Sequence, residues 1–174
     1  MEKLFTLEKK NILVTGASSG IGKSVAINTA LQGASVTLLA RNKERLTATL
    51  ESLQANEYHK AVCCDLSSKS DLDMLVEGLE PLDGLVLNAG AVKLAPIAFI
   101  NDDTIDDLFE INVQSSIRLV QRLVKKRKLK KGASIVFVSS IATQKATIGN
   151  AVYNATKGAV NSFVKSLALE LAKK

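Results

Sequence analysis

The stretch Ile12-Leu-Val-Thr-Gly-Ala-Ser-Ser-Gly-Ile-Gly22 limits the fold of this chain more than any other segment. Its apolar start is typical of a buried strand, and the glycines that follow predict a sharp turn into a helix. Glycines at 16, 20 and 22 also let a diphosphate approach the amides at the helix start, where free N–H groups favour negative charge. This spacing predicts a dinucleotide site, although it differs from Gly-x-Gly-x-x-Gly. A glycine-softened turn without a ligand is the alternative.

Beyond this turn, apolar runs alternate with segments of helical periodicity. The predicted strands cover residues 11–15, 35–40, 61–65, 85–88 and 134–139. The predicted helices cover 22–32, a segment from a cap at Asn42 to about Ala55, a segment from Ser68 or Ser70 to about Leu79, 102–130 and 151–172. Such alternation implies parallel pairing through right-handed crossovers. The expected fold class is α/β: one Rossmann-type doubly wound domain over residues 1–174, with strand order 3-2-1-4-5 and helices on both faces.

Composition narrows the function classes. Aromatic residues make up 4% of the chain, so Val, Leu, Ile and Ala must form the core, as suits a parallel α/β protein. No apolar run approaches a membrane span, and Met1-Glu-Lys-Leu-Phe lacks a secretory signal pattern, so a soluble cytoplasmic protein is expected. The adjacent Cys63 and Cys64 should point to opposite faces of a strand and stay reduced. The single histidine, His59, is expected in a surface loop, and no metal site is expected.

The net charge of +6 is concentrated in Lys125-Lys-Arg-Lys-Leu-Lys-Lys131. We expect this run to close the long helix, where cations complement the carbonyl end of the helix dipole, and Gly132 to supply the left-handed cap. No aromatic residues alternate with the charges, so nucleic-acid binding is not expected. A basic interaction protein that uses this run remains the least favoured hypothesis.

The residue after the second predicted strand bears on cofactor choice. In NAD-binding folds an acidic residue near this position accepts the ribose 2′-hydroxyl, whereas a nearby arginine accommodates a 2′-phosphate. Here the strand ends Leu39-Ala40-Arg41, with no carboxylate to repel a phosphate. The sequence therefore favours NADP(H) and leaves NAD(H) possible. An exposed arginine at the start of a helix is the alternative interpretation of Arg41.

Two further strand ends bring polar groups to the same edge of the sheet. Asp65 and Leu66 follow the third strand, and the Asp65 carboxylate fits two roles that the sequence does not separate: accepting from an adenine amino group or capping the next helix. The fourth strand ends Asn88-Ala-Gly90. Gly90 would let a cofactor approach, and Asn88 is expected to tie neighbouring loops together.

An amide interrupts the apolar stripe of the long helix. The stripe follows helical spacing through Ile105, Leu108, Phe109, Ser116, Leu119, Val120 and Leu123, and Asn112 lies on it. A buried amide left unpaired costs about 1–3 kcal/mol, so Asn112 should have specific partners. Those partners are either structural or part of a water chain that leads to a reaction centre.

The last strand and the last helix carry candidates for proton transfer. The strand ends in Ser139-Ser140, and the helix opens with Tyr153-Asn-Ala-Thr-Lys157. Tyrosine and lysine four residues apart share one helix face. An adjacent ammonium stabilises a phenolate, which a tyrosine must form to exchange protons near neutral pH. Alone such a pair is usually a surface feature, but here it accompanies a glycine-rich loop and a serine at the sheet edge.

Taken together, these motifs resemble the short-chain dehydrogenase/reductase family over nearly the whole chain. The matching pieces are Thr15-Gly-x-x-x-Gly-Ile-Gly22, Asn88-Ala-Gly90, Asn112, Ser140 and Tyr153-x-x-x-Lys157. The resemblance implies an NAD(P)-dependent oxidoreductase acting on a carbonyl or alcohol. It implies Tyr153 as acid/base, Lys157 as a ligand of the nicotinamide ribose that stabilises the phenolate, Ser140 as the group orienting the substrate oxygen, and Asn112 as holder of a relay water. The expected cofactor contacts are Gly16, Ser18, Ser19, Gly20, Ile21, Gly22, Arg41, Asp65, Leu66, Asn88, Ala89, Gly90, Tyr153 and Lys157.

The chain also departs from the family pattern. Members of the family typically continue past the final helix with two more strands, a mobile substrate-covering segment and a Pro-Gly motif. We therefore expect a C-terminal part to be lacking here, with a naturally short protein as the alternative, and within the family the chain resembles the 3-oxoacyl-carrier-protein reductases. The fifth strand would then be an apolar edge, and the final helix is apolar nearly all round. The resemblance implies a homodimer or homotetramer through the helices at 102–130 and 151–172. A nucleotide-binding module without a closed substrate pocket is the alternative function.

Overall fold

The computed structural model describes residues 6–53 and 58–172, in which strands and helices alternate. The strands are β1 (Asn11–Thr15), β2 (Ser35–Ala40), β3 (Lys60–Cys63), β4 (Leu82–Leu87) and β5 (Leu129–Phe137). The helices are α1 (Gly20–Leu31), α2 (Lys43–Glu51), α3 (Lys69–Gly78), α4 (Asp102–Phe109), α5 (Ser115–Lys125) and α6 (Ala151–Leu171). The second helix was predicted to reach Ala55, but it ends at Glu51, and Ala55 lies outside the described residues.

The five strands form one parallel sheet in the order β3-β2-β1-β4-β5. The central strand aligns Thr15 with Leu39 of β2 and Val14 with Val86 of β4. Parallel strands end at a common edge, so the segments that follow β1, β2, β3 and β4 meet there. The predicted fold class and strand order are confirmed.

Alternate residues of β1 enter two separate cores, one on each face of the sheet. Leu13 belongs to a cluster with Leu39 and Leu85 that includes Leu119 of α5. The second cluster contains Ile12, Val14, Val36 and Leu38 together with Ala26 of α1 and Leu46 of α2. Because successive strand residues point to opposite faces, this pattern requires helices on both sides of the sheet.

Asparagine and serine side chains fix the starts of three helices. Asn42 caps α2 by accepting from the Arg45 N–H at 2.8 Å, and Ser68 caps α3 by accepting from the Asp71 N–H at 3.2 Å. Asn101 does the same for α4, through the Thr104 N–H at 3.0 Å. Each cap satisfies a backbone donor that has no partner within its helix. The sequence left Ser68 and Ser70 open as the residue that starts α3. The structure assigns the cap to Ser68.

The predicted helix over 102–130 is wrong in two places. A single π-helical turn, Glu110–Gln114, separates α4 from α5. The Arg118 side chain spans this turn and contacts both Glu110 and Gln114. The helix then ends at Lys125, and β5 begins only four residues later.

The basic run therefore does not close a helix at Gly132. Arg127 takes the left-handed conformation, with φ of 54°, and the Lys128 N–H returns to the Leu123 carbonyl at 2.8 Å. Gly132 lies inside β5, next to an irregularity in its pairing with β4. Three lysines of the run bind neighbouring elements: Lys126 Nζ pairs with Glu77 of α3 at 3.6 Å, Lys128 Nζ donates to the Leu79 carbonyl after α3, and Lys130 Nζ pairs with Asp83 at 2.6 Å. These contacts explain why the run lies beside α3 and β4.

The remaining polar expectations have mixed outcomes. Cys63 is exposed and Cys64 is buried, and neither forms a disulfide, as predicted. His59 lies in the loop before β3, as predicted, but it is half-buried rather than fully at the surface, and its Nδ1 accepts from the Val36 N–H at 3.0 Å. Within residues 6–53 and 58–172, no helix has both the length and the apolar character needed to cross a bilayer.

Candidate functional site

The glycine-rich turn between β1 and α1 is shaped by its backbone. Gly16 and Gly20 have φ values of 65° and 53°, which side chains rarely tolerate. A Cβ at Gly22 would lie 2.2 Å from the Gly16 carbonyl oxygen, so the turn folds tightly onto the first residues of α1. The Ser19 side chain makes no capping hydrogen bond to α1. The first amides of the helix therefore remain available to an anionic ligand.

Thr15 and Asn88 lock this turn to the end of β4. Thr15 Oγ1 accepts from the N–H groups of Asn88 and Ala89, each at 3.0 Å. Asn88 Nδ2 donates to the carbonyls of Thr15 and Gly16 at 3.2 and 3.3 Å. The expectation that Asn88 ties loops together is confirmed. Thr15 is fully buried and was missed as a site residue, although its place before Gly16 at a strand end was a signal for it.

A cleft of about 700 Å³ opens at this edge of the sheet. Eleven of the expected cofactor residues line it: Gly16, Ser18, Ser19, Gly20, Ile21, Arg41, Asp65, Leu66, Asn88, Ala89 and Gly90. Gly22, Tyr153 and Lys157 are not among its lining residues. Residues that sequence reasoning did not select also line it: Leu39, Ala40, Asn42, Arg45, Cys64, Ser67, Ile111 and Ser115. The volume falls in the range of small-molecule sites.

The polar groups on the β3 side of the cleft form hydrogen bonds within the protein. Asp65 accepts from the Ser67 N–H at 2.9 Å, and Ser68 rather than Asp65 caps α3. Burial, together with the nearby carboxylates of Asp71 and Asp65, raises the pKa of the Cys64 thiol to about 11. Cys64 is therefore an inert lining group at neutral pH. The Asp65 carboxylate is the negative charge on this wall.

Asn112 lies in the π-helical turn and has protein partners for its whole amide. Its Oδ1 accepts from the Ala91 N–H at 2.7 Å, and its Nδ2 donates to the Ala91 carbonyl at 2.9 Å and to Thr156 Oγ1 at 3.1 Å. The residue is 2% exposed. Of the two roles left open, these side-chain contacts favour the structural one. The Asn112 amide holds the segment after β4 against α6.

Lys157 lies where three of these segments converge. Its Nζ donates to the Val138 carbonyl at 2.8 Å, just before Ser140. A Cβ at Gly90 would lie 3.7 Å from this Nζ and 2.9 Å from Asn112 Oδ1. The Tyr153 ring centroid is 5.9 Å from the same Nζ. Lys157 is 6% exposed, and this burial lowers its pKa. The structure thus brings Gly90, Asn112, Tyr153 and Lys157 together.

Ser140 begins the short helical turn that follows β5. Its Oγ accepts from the Ala142 N–H at 3.1 Å, so the hydroxyl proton stays available to another acceptor. The turn itself covers Ile141–Thr143. Three nearby atoms, Ser139 Oγ, Asn150 Oδ1 and Asn154 Oδ1, are buried without a hydrogen-bond partner in the described part of the chain. Polar atoms that can still form hydrogen bonds therefore lie at the end of β5 and at the start of α6.

Thr156 connects Asn112 to the backbone of Tyr153. It is fully buried, and its hydroxyl donates to the Tyr153 carbonyl at 2.7 Å while it accepts from Asn112. Sequence reasoning missed this residue. Its position between Tyr153 and Lys157, on a helix face that also carries Val160, was the available signal.

Comparison with known proteins shows the same pattern over the whole chain. A family model described as "short chain dehydrogenase" matches residues 10–174. L-xylulose reductase of Mus musculus is 34% identical over 167 residues, which cover 95% of this chain and 67% of that protein. An uncharacterised oxidoreductase of Listeria monocytogenes is 31% identical over 172 residues, which cover 96% of this chain and 69% of the relative.

Solved structures show the same likeness in three dimensions. A short chain dehydrogenase of Escherichia coli CFT073, complexed with NADPH, superposes with a TM-score of 0.88 at 30% identity. The match covers 97% of this chain and 74% of the solved one. A chain described as a short chain dehydrogenase/reductase family protein gives a TM-score of 0.88 at 29% identity.

Proposed function

The chain belongs to the short-chain dehydrogenase/reductase family of oxidoreductases, and on that premise we propose that it interconverts a carbonyl compound and an alcohol with NADP(H). The observation that carries the proposal is the position of Lys157. Its buried ammonium lies beside Tyr153 and beside Gly90, which lines the cleft. The Tyr153–Lys157 pair, which we propose for proton transfer, therefore lies next to a cleft large enough for a nucleotide.

The cleft suits a dinucleotide along its whole lining. The open backbone at Gly20, where an added Cβ would meet nothing within 4 Å, and the uncapped start of α1 would receive a diphosphate. Arg41 would contact a 2′-phosphate, and Asp65 and Leu66 would contact the adenine. Asn88, Ala89 and Gly90 would border the nicotinamide end, together with Tyr153 and Lys157. NADP(H) is the preferred cofactor because Arg41 meets no carboxylate in the described residues, and NAD(H) remains a weaker ligand.

When bound, the nicotinamide supplies or accepts the hydride. The protein manages the proton: Tyr153 would donate it to the carbonyl oxygen during reduction and take it back during oxidation. The Lys157 ammonium would stabilise the negative charge on the Tyr153 oxygen as that oxygen gives up its proton. The free Ser140 hydroxyl proton would stabilise negative charge on the same oxygen. Asn112 would keep the segment after β4 in register with Tyr153, through Thr156.

The proposed function extends to the domain organisation, the location, the substrate and the self-association of the chain. We propose one nucleotide-binding domain that works in the cytoplasm, where the thiols of Cys63 and Cys64 stay reduced. Its substrate would be a small carbonyl or alcohol. Self-association to a homodimer or homotetramer would use the segments 102–130, which contains α4 and α5, and 151–172, which contains α6, as the family resemblance implies.

The first test is a fluorescence titration of the purified chain with NADPH and then NADH. We expect saturable binding with preference for NADPH, and Arg41→Ala should remove most of that preference. Binding that favours NADH would contradict the role of Arg41 but not the reaction. A folded chain that binds neither cofactor would refute the proposed function.

The second test separates a catalyst from a binding module. NADPH oxidation would be followed with a panel of ketones and aldehydes, for the wild type and for Tyr153→Phe. Turnover that Tyr153→Phe abolishes, with NADPH affinity unchanged, supports the enzyme. Cofactor binding without turnover on any substrate supports the nucleotide-binding module instead.

A further inference from the structure

Two loops lead away from the proposed reaction centre, the first over residues 91–100 after β4 and the second over residues 141–150 after β5. The first loop begins at Ala91, whose backbone N–H and carbonyl both bond to the Asn112 amide. The second loop begins directly after Ser140, whose side chain caps its first turn. Both loops are therefore fixed to the protein at the point where they leave the proposed site.

A backbone hydrogen bond joins the two loops further out. The Ala95 N–H of the first loop donates to the Gly149 carbonyl of the second at 3.0 Å. Leu94 precedes Ala95 and Ile148 precedes Gly149, so this bond places Leu94 and Ile148 on neighbouring backbone. The two loops therefore form one surface that is continuous with the proposed site.

The side chains that this surface presents to solvent are mainly apolar. Ile148 is 95% exposed, and every large apolar residue named here is more than half exposed. We call this set the loop surface: Val92, Leu94, Ile97, Phe99, Ile141 and Ile148. Apolar area of this extent costs free energy in water and favours an apolar ligand.

Several polar groups of the loops are bonded within the protein. Lys93 Nζ donates to Thr104 Oγ1 of α4 at 2.9 Å, and Thr143 Oγ1 donates to the Ser140 carbonyl at 2.9 Å. Neither loop contains an aspartate or a glutamate. The other long polar side chains of the loops are Gln144 and Lys145. The loop surface thus offers few partners to a ligand that carries many hydroxyl groups.

We propose that the loop surface binds the apolar part of the substrate, so that the substrate is a carbonyl compound with an extended apolar substituent. This inference rests on the proposed function and narrows its substrate class. Small-molecule sites combine apolar walls with a few polar groups that orient the ligand, and here Ser140 and Tyr153 would be those groups. A sugar-like substrate would instead place hydroxyl groups against side chains that cannot form hydrogen bonds.

The experiment measures kcat/KM with saturating NADPH for two sets of ketones. The first set is butanone, 2-hexanone and 2-octanone, for which we expect kcat/KM to rise about two- to fourfold with each added methylene. The second set is 3-pentanone and 1,3-dihydroxyacetone, which have similar size but end in methyl and hydroxyl groups respectively. We expect 3-pentanone to be preferred at least about tenfold.

Two variants connect this preference to the loop surface. Leu94→Ser and Ile148→Ser should each lower the ratio of kcat/KM for 2-octanone to that for butanone at least about threefold, because each removes apolar contact area from the longer ketone. Met74→Ser is the matched control, since Met74 is also large, apolar and exposed but lies in α3, outside both loops. We expect it to leave the ratio within about twofold. Thermal unfolding and NADPH titration of each variant show that the comparison is made on folded protein with an intact cofactor site.

The outcomes separate this inference from the proposed function. If kcat/KM does not rise along the ketone series, or dihydroxyacetone is preferred to 3-pentanone, the apolar substrate class is refuted while the reaction stands. If the two loop variants change the ratio no more than Met74→Ser does, or change only the sedimentation of the protein, the loop surface does not bind substrate and the inference is refuted. If the folded wild type binds NADPH but reduces none of these compounds, the proposed reaction fails and this inference fails with it.

Discussion

Gly22 is the residue at which the glycine-rich turn is most tightly packed. An added Cβ would meet the Gly16 carbonyl oxygen at 2.2 Å and Asn88 Nδ2 at 2.5 Å. The first of these atoms is backbone and cannot swing away. Gly158, in the middle of α6, is the opposite case, since an added Cβ there meets nothing within 4 Å.

We therefore expect opposite effects from the same substitution. Gly22→Ala should lower the unfolding free energy by about 2–4 kcal/mol, because the turn must open to admit the methyl group. Gly158→Ala should raise it by about 0.5–1 kcal/mol, because alanine reduces the backbone entropy lost in a helix. Urea unfolding followed by circular dichroism measures both. Equal effects at the two positions would show that the close approach at Gly22 is not rigid.

At the residue scale, sequence reasoning succeeded where a local rule applied and failed where partners were remote. Asn42 was predicted as a cap because an asparagine side chain can accept a hydrogen bond from a backbone N–H only three residues away. The structure confirms this cap. Asn112 was predicted to need partners, but those partners are the Ala91 backbone and the Thr156 hydroxyl, 21 and 44 residues away. Only the fold brings such groups together.

At the scale of elements, the long helix shows how periodicity conceals an interruption. Leu108, Asn112, Ser116 and Leu119 are all buried, as one continuous stripe predicts. The π-helical turn at Glu110–Gln114 changes the winding of the helix locally, but the stripe still faces the core on both sides of it. The end of the helix was misplaced for another reason, since lysines suit a helix terminus but here bind carbonyls and carboxylates of α3 and β4.

The outer face of α6 is the surface that we expect to contact another subunit. Its buried residues are Val152, Thr156, Lys157 and Val160, whereas Leu169 is 83% exposed. We expect self-association through this face, as the family resemblance implies, and Leu169 is the large apolar side chain that α6 exposes there among the described residues. If α6 forms the expected contact between subunits, Leu169→Glu should weaken self-association at least about tenfold, because it would place a charge in a desolvated contact.

Sedimentation velocity over a range of protein concentrations measures this effect. Met74→Glu is the control, because Met74 is 66% exposed on α3, outside the proposed contact. The prediction requires a concentration-dependent dimer or tetramer in the wild type and in Met74→Glu. A monomeric wild type at tens of micromolar, or equal losses in both variants, would contradict it.

At the scale of the whole molecule, the parallel sheet was predictable because every strand followed the same rule. Each apolar run was followed by a helical segment, and such alternation permits few topologies. The contacts that join the amino-terminal ends of the strands were not predictable. Asp83 of β4 accepts from the Asn11 N–H at 2.9 Å and from Lys130 Nζ of β5 at 2.6 Å, and its side chain is 15% exposed.

Asp83 therefore links three neighbouring strands, β1, β4 and β5, through one carboxylate, and its titration should be visible in the stability of the fold. Burial by itself raises the pKa of Asp83, but the hydrogen bonds from Lys130 and the Asn11 N–H outweigh burial and hold the pKa below its ordinary value of 3.8. A carboxyl whose pKa is lowered by folding contributes stability above its unfolded pKa. That contribution is lost as the pH falls through the folded pKa.

We expect Asp83→Asn to lower the unfolding free energy by about 1–2 kcal/mol at pH 7, since the amide cannot pair with Lys130 as a carboxylate does. The gap between wild type and Asp83→Asn should stay constant from pH 7 to about pH 5 and shrink below about pH 4, where the wild-type carboxylate takes up a proton. Urea unfolding at each pH measures the gap, and Asp106→Asn, on the exposed side of α4, is the control. A gap that persists unchanged at pH 2 would mean that Asp83 acts through shape rather than charge, because only the ionised form can lose its pairing on protonation.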